Sequence, residues 1–143
     1  MIERLGPFDL DPCAAVNRPW DVAKNNYTID DDGLSKDWDG RVWMNPPFGK
    51  GIKEWINKLA KHGNGFVLMP LRSTDARWFH DDIWNAAHSI MFIKGRIKYF
   101  KIDGTESGSC PHASIIAAYG KENSNALDRL PLAGKIIKLK EAS

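Results

Sequence analysis

Residues 41–70 read RVWMNPPFGKGIKEWINKLAKHGNGFVLMP, and this stretch decides the fold. Residues 41–44 are typical of a buried strand, and residues 65–70 form a continuous apolar run of the kind found in strands covered on both faces. Between them, apolar residues recur at helical spacing, at Ile52, Trp55, Ile56, Leu59 and Ala60. A strand, a helix and a second strand predict parallel neighbours, because parallel strands need a crossover connection. The chain is therefore predicted to be α/β.

The other elements follow outward from this stretch. A short strand is predicted at 8–11, before an irregular segment over 12–40 that is long for a compact domain. Further along, we predict a helix over 75–87 capped by Ser73-Thr74-Asp75, strands at 89–93 and 113–119, an extended segment at 95–101 and a turn-rich loop at 102–112. The lysines of 135–140 are interpreted as a solvated edge. The sheet is thus expected to be mostly parallel with an antiparallel C-terminal hairpin and helices on both faces.

Length and composition limit the number of domains and the classes of function that the chain can have. The 143 residues predict one domain over 1–143, with a core at about 6–120 and a C-terminal extension at 121–143. A net charge of +2 gives no overall basicity, so nucleic-acid binding would depend on local patches. Two cysteines and no long apolar run predict a cytoplasmic protein without a membrane span. Cys110-Pro111-His112 lacks further ligands at metal-site spacing, so no metal is expected.

The tetrapeptide Asn45-Pro46-Pro47-Phe48 carries the clearest chemistry. Its two prolines fix two φ angles and remove two backbone donors, which leaves the carbonyl groups of Asn45 and Pro46 with fewer local partners. Together with the Asn45 side-chain oxygen, these carbonyls can accept the hydrogens of a planar exocyclic amine, while Phe48 offers a flat surface for stacking. The alternative is ordinary turn chemistry at the end of a strand. The position of the tetrapeptide between a predicted strand and a predicted helix favours the functional interpretation.

Five segments in order resemble the phage-type DNA N-6-adenine methyltransferases, over about residues 6 to 120. They are FDLDPCA at 8–14, DGL at 32–34 with Trp38, VWMNPPF at 42–48, MPLRSTD at 69–75 before Trp78-Phe79-His80, and FIKGRIKYF at 92–100. Several independent segments in the right order are far more specific than a single tetrapeptide.

The resemblance implies a Rossmann-like methyltransferase sheet. It also implies S-adenosylmethionine as methyl donor, with S-adenosylhomocysteine as product, and adenine in double-stranded DNA as acceptor. By position, the catalytic loop is Asn45, Pro46, Pro47 and Phe48. The first cofactor segment is Asp9, Asp11, Ala14 and Asn17, and the second is Asp32 and Leu34. Pro12-Cys13-Ala14-Ala15 replaces the glycine-rich turn that many methyltransferases carry after the first strand, a variant that the phage-type relatives share.

Contacts to DNA phosphates are predicted for Arg72, Arg77, Arg96 and Lys98. Arg96 and Lys98 alternate along one extended segment and so share a face, and Arg72 and Arg77 follow the strand at 65–70. The alternative is that the basic residues on the edge segment only deter aggregation.

Three other functions stay open. The same tetrapeptide serves RNA adenine and protein glutamine methyltransferases, since all of them present a planar amine. A catalytically inactive phage DNA-binding protein is the third, because relatives have a Trp-x-Thr-Pro element before the first strand and this chain starts just before Phe8. For a phage-encoded enzyme, the host cytoplasm is the expected compartment.

Overall fold

The computed structural model describes residues 4–14, 22–47, 49, 51–96, 98–100, 106–109, 112–131 and 134–140, with the backbone alone at 98–100 and 106–109. Within these residues the strands are β1 (Leu10–Asp11), β2 (Asn25–Asn26), β3 (Val42–Met44), β4 (Gly65–Pro70), β5 (Ser89–Ile93), β6 (Lys98–Phe100), β7 (Glu106–Ser109), β8 (Ser114–Tyr119) and β9 (Gly134–Lys138). The helices are α1 (Ile52–His62), α2 (Arg77–Phe79), which continues as a π-helical turn (His80–Trp84), and α3 (Lys121–Asp128). Two 3-10 turns lie at Ile29–Asp31 and Gly33–Ser35.

Seven strands form one sheet in the order β2-β1-β3-β4-β8-β5-β9, and β6 pairs with β7 separately. The pairs among β1, β2, β3 and β4 are parallel. β8 runs antiparallel to both β4 and β5, and β9 runs antiparallel to β5. β5 therefore points the same way as β4. The predicted antiparallel C-terminal strands are present, but not as a simple hairpin, because β8 is inserted between β4 and β5.

Alternation along the strands divides the core into two layers. Val42, Met44, Val67 and Met69 face the layer that holds Ile56 and Leu59 of α1 and Phe79 of α2. Trp43, Phe66 and Leu68 face the opposite layer, which Ala126 and Leu127 of α3 close. Helices thus cover both faces of the sheet, as the sequence predicted, and the central strands are buried on both sides.

The strand–helix–strand unit forms where the sequence placed it. β3 and β4 lie within the predicted segments, and α1 ends at Gly63, whose φ of 74° is the left-handed conformation that glycine adopts at little cost. β5 and β8 also match their predicted segments. β9 is an edge strand with exposed lysines, as expected.

Three predictions were wrong in detail. The helix predicted over 75–87 starts only at Arg77, because Ser73 has a φ of 57° and Ala76, not Ser73, is the N-cap residue. Its second half is a π-helical turn rather than an α-helix. β7 lies within the predicted loop at 102–112, and α3 was not predicted at all.

Candidate functional site

Several predicted site residues lie at one edge of the sheet, which we call the carboxyl edge: the side at which the parallel strands β1, β3 and β4 end. Asp11 ends β1, Asn45 directly follows β3, and Pro70 ends β4. In open α/β sheets this edge is where ligands bind, because the loops that follow neighbouring strands meet there. The topology therefore brings the first cofactor segment and the tetrapeptide to neighbouring strands.

Asn45 is exposed at this edge, and its side chain has no hydrogen-bond partner among the described residues. Pro46 beside it is buried, whereas Pro47 is exposed. The buried proline anchors the turn and the neighbouring amide stays available to a ligand. Phe48 lies outside the described residues, so its stacking role stays a prediction.

The turn after β1 is held by its own backbone and by Asp11. That side chain is only 3% exposed, and its Oδ1 accepts a hydrogen bond from the Cys13 backbone N at 3.1 Å. Tyr27 N donates to the Asp11 carbonyl at 2.9 Å, and Ala14 N donates to the Tyr27 carbonyl at 2.9 Å. Burial, with a smaller contribution from the negative charge of Asp11, raises the pKa of the Cys13 thiol well above its usual range. Cys13 therefore stays protonated and is a poor nucleophile.

The second predicted cofactor segment packs directly against this turn. A Cβ atom at Gly33 would lie 2.5 Å from the Pro12 carbonyl oxygen, so only glycine allows the two segments to approach this closely. Asp32 beside it is exposed, with a left-handed φ of 52°, and Leu34 is half-buried. Asp32 and Leu34 are thereby brought next to the end of β1, where the resemblance places a common ligand.

Two side chains of α1, Trp55 and Lys58, help to fix this second segment, and the sequence did not reveal their role. Trp38 Nε1 donates to the Gly33 carbonyl at 2.9 Å, and the Trp38 ring stacks on Trp55 with centroids 6.3 Å apart. Lys58 Nζ donates to the Leu34 carbonyl at 2.9 Å and lies 5.0 Å from the centre of the Trp38 ring. The closeness of Trp38 to the DGL motif was the available signal, but Trp55 and Lys58 reach it only through the fold.

Asp9 does not join the other predicted cofactor residues. It precedes β1, and its Oδ2 accepts a hydrogen bond from the Arg41 backbone N at 2.7 Å, at the side where the parallel strands begin. We call that side the amino edge. The contact fixes the entry of the chain into β3. Asn17 lies outside the described residues.

Three of the predicted DNA-binding residues follow the ends of β4 and β5. Arg72 and Arg77 come after β4 and Arg96 comes after β5, and all three are exposed. Because β4 and β5 point the same way, these residues lie on the carboxyl edge with Asn45. Arg77 is within 4.0 Å of Asp81, an exposed pair that contributes little to stability. The side chain of Lys98 lies outside the described ones.

The family model for DNA N-6-adenine-methyltransferase (Dam) matches residues 1–129. The chain belongs to this family. No curated protein and no solved structure matches the chain significantly.

In this Dam-family chain, the described ranges contain neither a cluster of metal ligands nor a membrane-spanning helix. No group of three or more His, Cys, Asp or Glu side chains that could hold a metal ion occurs there, and Cys110 lies outside them. In the same part of the chain, no helix is long and apolar enough to cross a membrane.

Proposed function

We propose that this chain transfers a methyl group from S-adenosylmethionine to the exocyclic N6 amine of adenine in double-stranded DNA. The family supplies the reaction class. The observation that supports the residue assignment is the position of Asn45 directly after β3, at the carboxyl edge. Its side-chain amide is exposed there and has no hydrogen-bond partner among the described residues. A Rossmann-like methyltransferase core is part of the proposal, and the parallel strands that end at one shared edge support it.

The residues at the end of β1 and at the 3-10 turn Gly33–Ser35 are suited to bind the methyl donor. Asp11 is a buried carboxylate that can accept hydrogen bonds from an ammonium group or sugar hydroxyls. Asp32 can accept hydrogen bonds from an adenosine amine or the ribose, and the half-buried Leu34 offers apolar surface, whereas Ala14 is buried. When bound there, S-adenosylmethionine supplies an electrophilic methyl group.

The tetrapeptide acts on the acceptor. The adenine amine is a poor nucleophile because its lone pair is delocalised into the ring. The Asn45 side-chain oxygen and the carbonyl that precedes Pro47 accept the two amine hydrogens and favour tetrahedral geometry at nitrogen. These hydrogen bonds strengthen as positive charge develops on the nitrogen, so they stabilise the transition state more than the ground state.

The transfer is direct, without a covalent intermediate on the protein. The candidate nucleophile nearest the turn after β1 is Cys13, and its raised pKa keeps it protonated. Catalysis then depends on positioning the amine and on the acceptors around it.

The amine of a base stacked within a duplex cannot reach the acceptors at Asn45, so we propose that the adenine is flipped out of the stack. Flipping costs a few kcal/mol, and stacking on Phe48 returns about 1–3 kcal/mol. Arg72, Arg77 and Arg96 lie exposed on the same edge and are suited to phosphate contacts that position the duplex.

The test is to incubate the protein with labelled S-adenosylmethionine and, separately, with DNA, RNA and protein acceptors. Label only in DNA is the expected result. Label confined to RNA or to protein glutamine would replace the proposed substrate by that one. No label in any acceptor, with no heat of donor binding in calorimetry, would favour an inactive DNA-binding protein.

The donor site is tested by two aspartates, Asp11 at the end of β1 and Asp9 directly before its start. Asp11→Asn is expected to weaken S-adenosylmethionine binding about tenfold or more, because it removes a charge-assisted hydrogen bond. Asp9→Asn is the matched variant, since its carboxylate already binds the Arg41 backbone. A loss of affinity for Asp9→Asn alone would move the donor to the amino edge and overturn the assignment.

A further inference from the structure

A second concave site lies at the amino edge of the sheet. It is a cleft of about 450 Å³, and its lining includes Arg4, Arg41, Arg129, Asn64, Asn123 and Glu122. Arg41 precedes β3 and Asn45 follows it, so the cleft and the tetrapeptide lie at opposite ends of the same strand, about 13 Å apart along the chain. The cleft is therefore separate from the proposed methyl-transfer site.

The guanidinium group of Arg41 is held rigidly in this cleft. It lies 5.2 Å from the centre of the Phe66 ring and 5.8 Å from that of Phe8. Its Nε donates to Asn123 Oδ1 at 2.6 Å. Asn123 is only 2% exposed, and its Nδ2 donates to Asn64 Oδ1 at 2.8 Å and to the Tyr119 carbonyl at 2.6 Å. The network leaves the Nη atoms of Arg41 without a hydrogen-bond partner among the described residues.

The charges of the cleft are unbalanced. Arg4 and Arg129 are exposed, and neither they nor Arg41 form an ion pair with any carboxylate in the described part of the chain. Desolvation lowers the pKa of Arg41, and the positive charge of Arg129 lowers it further, whereas the negative charges of Glu122 and Asp9 act in the opposite direction. Three arginines and the carboxylate of Glu122 line the cleft, and the Asp9 carboxylate acts on Arg41 from beside it, which leaves positive charge in excess.

We infer that this cleft binds the phosphate group of a small molecule, either inorganic phosphate or a nucleotide. A phosphate group carries a charge of about −1.5 to −2 at neutral pH, which is opposite in sign to the excess charge of the cleft. Guanidinium groups present parallel donors that suit phosphate oxygens, and Arg41 is already fixed, so little side-chain entropy is lost on binding. The volume is in the range of small-molecule sites.

The experiment is isothermal titration calorimetry of the whole chain with inorganic phosphate and with adenosine monophosphate, in chloride buffer of constant ionic strength. The test variant is Arg129→Gln, because Arg129 is exposed at the end of α3 and its side chain makes no hydrogen bond or ion pair with the described residues. Lys135→Gln is the matched control, since Lys135 is an exposed cation on β9, away from the lining of the cleft.

Saturable binding that weakens about tenfold in Arg129→Gln and is unchanged in Lys135→Gln is the expected result. Glu122→Gln is expected to tighten binding severalfold, because it removes the carboxylate that lines the cleft. Absence of saturable binding, or an equal loss in Arg129→Gln and Lys135→Gln, would overturn the inference.

A competition arm separates a small-molecule phosphate from the phosphates of DNA. A short duplex without terminal phosphates is expected to leave the phosphate bound, because the cleft lies at the edge away from Asn45. Displacement of phosphate by the duplex, abolished by Arg129→Gln, would make the cleft a DNA contact and would refute the small-molecule assignment. Because no step here depends on methyl transfer, failure of this inference would leave the proposed function standing.

Discussion

Asn45 at the carboxyl edge and Asn123 at the amino edge are the same residue type in opposite situations. Asn45 is exposed and has no described hydrogen-bond partner. Asn123 is 2% exposed and bonds to Arg41, Asn64 and the Tyr119 carbonyl. The amide at the amino edge therefore holds elements together, whereas the amide at the carboxyl edge is exposed and makes no hydrogen bond to the described residues.

The surroundings extend this contrast. At the amino edge, Asp9 fixes the start of β3 and the His62 ring lies 2.6 Å from the Gly40 carbonyl. At the carboxyl edge, Trp38 and Lys58 donate hydrogen bonds to the backbone of residues 33 and 34. These bonds fix the segment that carries Asp32 and Leu34, and Asn45 takes no part in them. Mutations at the two edges should accordingly change different quantities.

The largest expected effect is on the rate of methyl transfer in Asn45→Ala. Loss of an acceptor that acts in the transition state should lower the rate about 100- to 1,000-fold. The free energy of unfolding should change by less than about 0.5 kcal/mol, because the side chain is exposed. Label transfer to DNA measures the first quantity and urea unfolding the second. Asn85→Ala, at another exposed asparagine, is the matched control. A near-normal rate of methyl transfer in Asn45→Ala would show that the Asn45 amide does not act on the substrate, and would contradict the contrast drawn between the two edges.

The next effect is on stability in Asn123→Ala. This change leaves Arg41 Nε and the Asn64 amide without their partner, at a cost of about 2–4 kcal/mol in the free energy of unfolding. The denaturation midpoint in urea measures it. Asn125→Ala is the control, since Asn125 is exposed on the same helix. Equal midpoints for the two variants would show that the network contributes nothing to stability.

A smaller effect is expected on DNA affinity in Arg96→Ala. A lost phosphate contact lowers the slope of log affinity against log salt by about one. Lys61→Ala is the control at the other edge, because Lys61 is exposed in the last turn of α1. If the slope is unchanged in Arg96→Ala, the cation only keeps the segment after β5 soluble.

The smallest effect is the pH dependence that His88 contributes. Desolvation, and the nearby positive charge of Lys140, lower the pKa of His88, and its Nδ1 accepts a hydrogen bond from Gly120 N at 3.1 Å. The unfolded chain therefore takes up this proton at higher pH than the folded chain, so stability falls as the pH decreases below the ordinary histidine value of about 6.5. His88→Asn should flatten this decline. An unchanged profile between pH 7 and 5 would show that His88 is not its source.

The sequence predicted the central elements because they are dominated by periodicity. Residues 52–62 have helical spacing with a glycine at the end, and 65–70 is a continuous apolar run, so local signals and packing agree. α3 was missed because it contains two asparagines and a serine, which are poor helix formers. Its stability comes from burying Asn123 and Leu127 against the sheet, which is a tertiary effect.

The sequence predicted the location of those candidate site residues that lie at the ends of strands. Asp11 and Asn45 directly end or follow strands, so their shared edge was accessible from sequence. The approach of Gly33 to Pro12 joins segments separated by a loop, and no local pattern encodes it. Asp9 shows the converse, because its motif position predicts a ligand contact while its carboxylate binds the Arg41 backbone.

The most direct test of the account is to identify the methylated atom. DNA treated with the protein and S-adenosylmethionine is digested to nucleosides, which are separated and identified by mass spectrometry. The account predicts that the methyl group is found on the N6 atom of deoxyadenosine and nowhere else. Methylation of cytosine, or of a ring nitrogen of adenine, would contradict the proposal that the carboxyl edge at Asn45 binds an exocyclic adenine amine.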